Sequence, residues 1–411
     1  MFSISSDYAP PFKMISPFFL IGSIVYLLST ISLFFLNPQN GHFDLSIVAW
    51  VHWFLLGFVM MIIFGAMAQL VPVVVEVGHF LVELYYSIWV LLIVGTSIMV
   101  YGFLYNPFVL SYGGLIVLIS MIMFLFDTLM TLRKVTNITL TVKTVVFSNL
   151  FLLAGIILGF SISLSISGGI GIDIAKWLGS HAVMVLAGYV TLTIMGLSMI
   201  LIPMFGLSHG FNDDAVELSF KLIVIAVILY FLSTIFDFNI GQFLSLLMIF
   251  SSVTLYIKQV YILYKLRARK ENDIWAKSLF VGYGALILSA MLGFAYTLTH
   301  YENFLMAGVW FLIMGFFAFL INGHLYKIIP FLVWFERYSP LVGKEKIPML
   351  HEMLPKRMAR CQFLFSSMGM FIAGIGILIG EDDLFRGGVS LLITGAFFMF
   401  FSVRWMLNYS K

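Results

Sequence analysis

Residues 51–72 read VHWFLLGFVMMIIFGAMAQLVP, an uncharged run that opens on His52 and closes on Gly65 with Pro72 seven residues later. At about 1.5 Å per residue such a run crosses about 30 Å of hydrocarbon as a helix. Residues 180–203, SHAVMVLAGYVTLTIMGLSMILIP, follow the same plan with His181, Gly196 and Pro203. The glycine–proline spacing occurs a third time at Gly323 and Pro330, where His324 follows the glycine directly. One copy is ordinary, because glycine lets helices approach closely and proline is tolerated in membrane helices as a kink or an end. Three copies at equal spacing indicate an internal duplication.

Composition gives the class. The chain is 62% hydrophobic and 10% charged, with a mean hydropathy of +1.07, whereas a soluble domain is about a quarter charged. An all-α polytopic membrane protein in a lipid bilayer is expected, and no nucleic-acid partner. The first apolar run follows the polar stretch MFSISSDYAPPFK and shows no small-residue cleavage site, so it reads as a retained helix. A single cysteine, Cys361, leaves no internal disulfide, no cysteine-ligated iron–sulfur cluster and no covalently attached c-type haem.

Apolar runs near twenty residues give about twelve spans: 14–36, 47–75, 84–105, 108–132, 144–166, 177–205, 218–236, 240–264, 276–298, 304–335, 359–380 and 385–408. With the N-terminus inside, all of the 22 Lys and Arg except Lys176 and Arg386 fall on or near the cytoplasmic side. The positive-inside rule then places both termini in the cytoplasm, as in a bacterial inner membrane. The glycine–proline motifs fall on spans two, six and ten, four helices apart. The expectation is one integral membrane domain of three pseudo-repeated four-helix units, about 14–132, 144–264 and 276–408.

Twelve spans with a histidine on span two, another on span six and a pseudo-threefold repeat resemble the haem–copper oxidase catalytic subunit. The chain is more similar to that superfamily's smaller relatives, the NnrS-like haem proteins and oxidase-subunit-I-like proteins. The stretches that carry the resemblance are PFFLIGSIVYLL in span one, HWFLLGFVMMIIFGAMAQLVPVV from His52, GYVTLTIMGLSMILIPMF from Gly188 and GHLYKIIPFLVWFERYSPLVGKEKIPML from Gly323. The departures are as informative. Span seven, LSFKLIVIAVILYFLSTIF, has no histidine, no two histidines are adjacent, and Val185 stands where the oxidases carry a tyrosine. A complete copper site is therefore not expected. Intramembrane carboxylates, the usual mark of redox pumps, are nearly absent; Asp127 and Lys258 lie toward span ends, where pairing or snorkelling accounts for them.

The resemblance implies non-covalent haem b, ligated by His52 and His181 near the outer ends of their spans. The alternative for these two is interfacial hydrogen bonding, with Trp50, Trp53 and Trp177 as members of an aromatic belt. By the family plan a second axial ligand for the His52 haem comes from the start of span ten, where the chain offers His300 and then Met306. Lys176 and Arg386 are the expected partners of haem propionates. His324, in the inner half of span ten, either serves a second metal site or bonds a nearby carbonyl. His79 and His209 read as solvated loop histidines which, with His324 and His351, form an inner metal site only if brought together. The function implied is redox or nitric-oxide-related physiology, by electron transfer with a redox partner or by binding a diatomic gas (NO or O2). The alternatives are a transporter or channel that uses the glycine–proline helices as a substrate path, or a metal-free accessory protein with the same fold.

Overall fold

The computed structural model describes residues 8–410. Among them are twelve helices long and apolar enough to cross a membrane: α1 Phe12–Phe35, α2 Leu45–Val75, α3 Val82–Leu104, α4 Pro107–Leu132, α5 Leu140–Ile166, α6 Ile174–Gly206, α7 Asp214–Ile235, α8 Asn239–Leu266, α9 Ile274–Thr299, α10 Glu302–Arg337, α11 Lys356–Ile379 and α12 Asp382–Leu407. No strand occurs among the described residues; one isolated bridge joins Ser208 to Arg267. Each helix begins one to four residues before its hydropathy run, because polar residues serve the first turn. Asp44, Asn106, Thr139, Asp173 and Asp273 accept main-chain N–H groups at the starts of α2, α4, α5, α6 and α9, the role for which short polar side chains are preferred.

The chain divides into two compact units. The first contains Leu70–Gly102 and Asn106–Glu271, and the second contains Pro10–Gln69, Phe103–Tyr105 and the chain from Asn272 onward. In the first unit α6 is the most enclosed helix, with 83% of its most apolar window buried, and in the second α2 and α10 hold that place at 78% and 72%. The other nine helices are buried over 28–50% of theirs. The glycine–proline helices are therefore the three most enclosed of the twelve. Their prolines do not end them: Pro72, Pro203 and Pro330 lie inside α2, α6 and α10.

All three carry a π-helical turn, at Leu55–Met60, Val183–Thr191 and Phe311–Phe317. Each turn contains a glycine eight residues before the motif glycine, so the fuller pattern is Gly57–Gly65–Pro72, Gly188–Gly196–Pro203 and Gly315–Gly323–Pro330. Both glycines of each pair face the preceding helix. In the second unit Gly65 meets Phe18 and Gly57 meets Val25 on α1, while Gly323 meets Ser278 and Gly315 meets Ala285 on α9. In the first unit Gly196 meets Thr144 and Gly188 meets Phe151 on α5. A Cβ on any of these glycines would press into the neighbour, so only glycine allows the approach.

The partners stand seven residues apart while the glycines stand eight apart. Seven residues return an α-helix to nearly the same face, and eight carry it about 100° further round. A π turn takes up one extra residue, which keeps both glycines on one seam. The same arrangement occurs in all three helices.

Candidate functional site

The histidines expected to bind a cofactor belong to different units, His181 to the first and His52 to the second. Each is the eighth residue after an aspartate cap, Asp44 for α2 and Asp173 for α6. By the rise of a helix each lies about 12 Å from the capped end. Their distances to the motif glycines differ by two residues, 13 in α2 and 15 in α6. The two match when measured from the helix start and do not match when measured from the glycines.

His52 bonds through Nδ1 to the Val48 carbonyl on its own helix at 2.8 Å, and its ring lies 5.2 Å from Phe103. His181 bonds through Nδ1 to the Gly155 carbonyl of α5 at 2.9 Å. Gly159, one turn further along α5, faces the same ring, where a Cβ would stand 2.6 Å from Cε1. His324 is buried and bonds through Nδ1 to the Leu320 carbonyl at 2.7 Å. That bond is the same kind that His52 and His181 make, so it fits either of the two expected roles. A carbonyl accepts only, so in all three Nδ1 is the protonated nitrogen, which in the neutral ring leaves the lone pair on Nε2. This is the way metal-binding imidazoles are held, with the second nitrogen donating to a main-chain carbonyl or a carboxylate.

His209 is an exposed loop residue, and His300 is exposed at the end of α9, where it takes a left-handed conformation. Met306 is half-buried on the first turns of α10. Lys176 pairs with Asp237 at 2.7 Å; Arg386 pairs with Asp382 at 2.7 Å and donates to the Phe34 carbonyl. Both cations assigned to propionates thus have protein partners. Among the described residues no three of His, Cys, Asp and Glu come together as a metal site.

Two readings of loop and belt residues change. His79 is not solvated: its side chain is 3% exposed and its Nδ1 lies 2.7 Å from Asp127 Oδ2, a carboxylate that is fully buried. Asp127 also accepts from the Leu81 main chain at 2.8 Å, and the Thr131 hydroxyl accepts from Phe80. Asp127 is thus explained by pairing. Trp50 is not a belt residue either. It is buried, donates to the Ser29 carbonyl at 2.9 Å and stacks 6.4 Å from Trp310, which itself donates to Met370. With Phe54, Phe58 and Tyr26 these rings fill the interior beside α2 in the second unit.

The sequence reading also missed a clasp at the start of α10. There Glu302 accepts from the His42 main chain at 3.1 Å and lies 2.5 Å from His42 Nδ1. Gly41 makes room for it in a positive-φ conformation. A histidine next to a glycine in a polar linker, with an acid opening a later span, was the available signal.

Compared with known proteins, the chain matches no family model, and no curated protein matches it.

Proposed function

We propose that this chain is an integral membrane haem protein of the haem–copper oxidase or NnrS-like type, with non-covalent haem b held on His52 in one unit and on His181 in the other, and no complete copper site. One observation carries the reading: each imidazole stands at the same distance from an aspartate-capped helix start and is held through Nδ1 by a main-chain carbonyl. That arrangement fits iron ligation, because neutral imidazole bound through Nε2 and oriented from behind is a standard ligand of haem iron. When bound, the haem would supply either electron transfer or a coordination position for a diatomic gas. The chain's own residues do the rest. Val48 and Gly155 set the tautomer, Gly159 gives the His181 ring its space, and the enclosing rings of the second unit keep water from the region beside α2.

The three glycine–proline helices, each with a π turn and the same packing on the helix before it, support an origin by triplication of a four-helix unit. The bias of Lys and Arg supports cytoplasmic termini. The test is a reduced-minus-oxidised visible spectrum of protein purified from haem-replete cells, with the extracted haem identified. A b-type spectrum altered in His52→Ala and in His181→Ala is expected. A colourless protein would sink the proposal. It would favour the second reading, a transporter, for which the π turns inside the three most enclosed helices are the specific support.

A further inference from the structure

A cavity of about 550 Å³ opens at the start of α11, lined by His351, Lys356, Arg357, Met358 and Trp405. Glu352 also borders it, but its carboxylate accepts from the Met349 main chain at 3.0 Å and is held to its own turn. Lys356 and Arg357 are exposed, and neither forms an ion pair among the described residues. The cavity lining therefore sets two cations against one carboxylate, with Leu354, Met358 and Trp405 as its apolar part.

Its position on the helices gives the second half of the argument. From Arg357 the face of α11 continues at helical spacing through Leu364, Met368, Phe371 and Ile375, all exposed, at 42–54%. From Trp405 the face of α12 continues through Phe401 and Phe397, also exposed, at 48% and 44%. The two helices are packed main chain to main chain, with Gly369 against the Gly388 carbonyl and Gly376 against Phe385. Two apolar stripes thus lead away from a cationic cavity along spans that cross the bilayer. The cavity has a tryptophan at its mouth, where the ring's polar edge suits the headgroup level. We infer that this cavity binds the headgroup phosphate of an anionic phospholipid, whose acyl chains lie along the stripes of α11 and α12. A phosphate monoanion matches the two cations, and the stripes suit acyl chains, which a free phosphate does not carry. The site is independent of any haem.

The test uses the full chain in nanodiscs made with phosphatidylcholine, to which acyl-brominated phosphatidylglycerol or acyl-brominated phosphatidylcholine is added. Quenching of Trp405 is isolated by subtracting the Trp405→Phe variant. Trp405 should be quenched preferentially by the brominated phosphatidylglycerol. In Lys356→Gln/Arg357→Gln the preference should fall by roughly 30-fold, the effect of removing two cations near an anionic headgroup. Inorganic phosphate at millimolar concentration should leave the quenching in place. Equal quenching by the two lipids, or an unchanged preference in a double variant whose helix content and elution are those of the parent, would overturn the site. Displacement of the lipid signal by inorganic phosphate would also overturn it, by showing that the free anion is the ligand.

Discussion

Gly196 on α6 faces the Thr144 hydroxyl of α5 so closely that a Cβ on the glycine would overlap the oxygen. Thr144 is buried and its hydroxyl already donates to the Thr141 carbonyl at 2.7 Å, so it has little room to yield. Gly196→Ala is therefore expected to destabilise the protein by about 1–3 kcal/mol, the range for overpacking. Adding Thr144→Ala should recover most of the loss. Thermal unfolding in detergent, followed by size-exclusion recovery, measures both; a neutral Gly196→Ala would mean that the seam is looser than described.

Gly159→Ala tests the imidazole without removing it. The added methyl meets the His181 ring, so on the haem reading the spectrum should shift in position or intensity while bound haem remains. A spectrum identical to that of the parent would show that the ring beside Gly159 does not ligate.

The pair between His79 and Asp127 is buried on both sides. Asp127→Ala takes this acceptor from the His79 ring and from the Leu81 main chain, at about 1–3 kcal/mol for each buried donor. Asp127→Asn should cost less, since its amide oxygen can still accept from Leu81. The two variants compared by thermal unfolding, with equal losses in both, would show that the bond to Leu81 contributes nothing.

At the start of α2, Asp44 accepts from the Ser46 and Ile47 main-chain groups and from the Ser46 hydroxyl. The Ser46 hydroxyl, ahead of the other contacts, holds the Asp44 carboxyl below its ordinary value of 3.8. A lowered folded-state value means that the cap contributes fully above the ordinary value and is lost as pH falls through the lowered one. Protection of the Ser46 and Ile47 amides, measured as exchange relative to the intrinsic rate at each pH, should therefore be high at neutral pH and fall below about pH 4. Asp44→Ala should lack this protection throughout, with a cost of about 1 kcal/mol to the helix.

The twelve helices were legible because hydrophobic runs of that length have one use, and His52 and His181 were legible as residues near helix starts. The caps moved each start outward, since Asp44 or Asp173 counts as polar in a hydropathy window yet completes the first turn. What could not be read was any relation that depends on a second helix. Gly57, Gly188 and Gly315 were visible in the chain, but their purpose lies in Val25, Phe151 and Ala285, which have no sequence mark of their own. His79 read as solvated because its partner Asp127 lies 48 positions away. Trp50 read as interfacial because nothing near it in the chain predicts Ser29 or Trp310.

The π turns also separate what must stay constant from what can vary. Between the two glycines of a pair the interval is eight residues in all three helices, while the interval from histidine to first glycine is five in α2 and seven in α6. A residue gained or lost upstream of that first glycine turns the imidazole by about 100° and moves it by about 1.5 Å. The contact with the neighbouring helix is left as it was. Short insertions or deletions there can change which direction the histidine points, so a lineage could gain, move or abandon a ligand without refolding the helix that carries it.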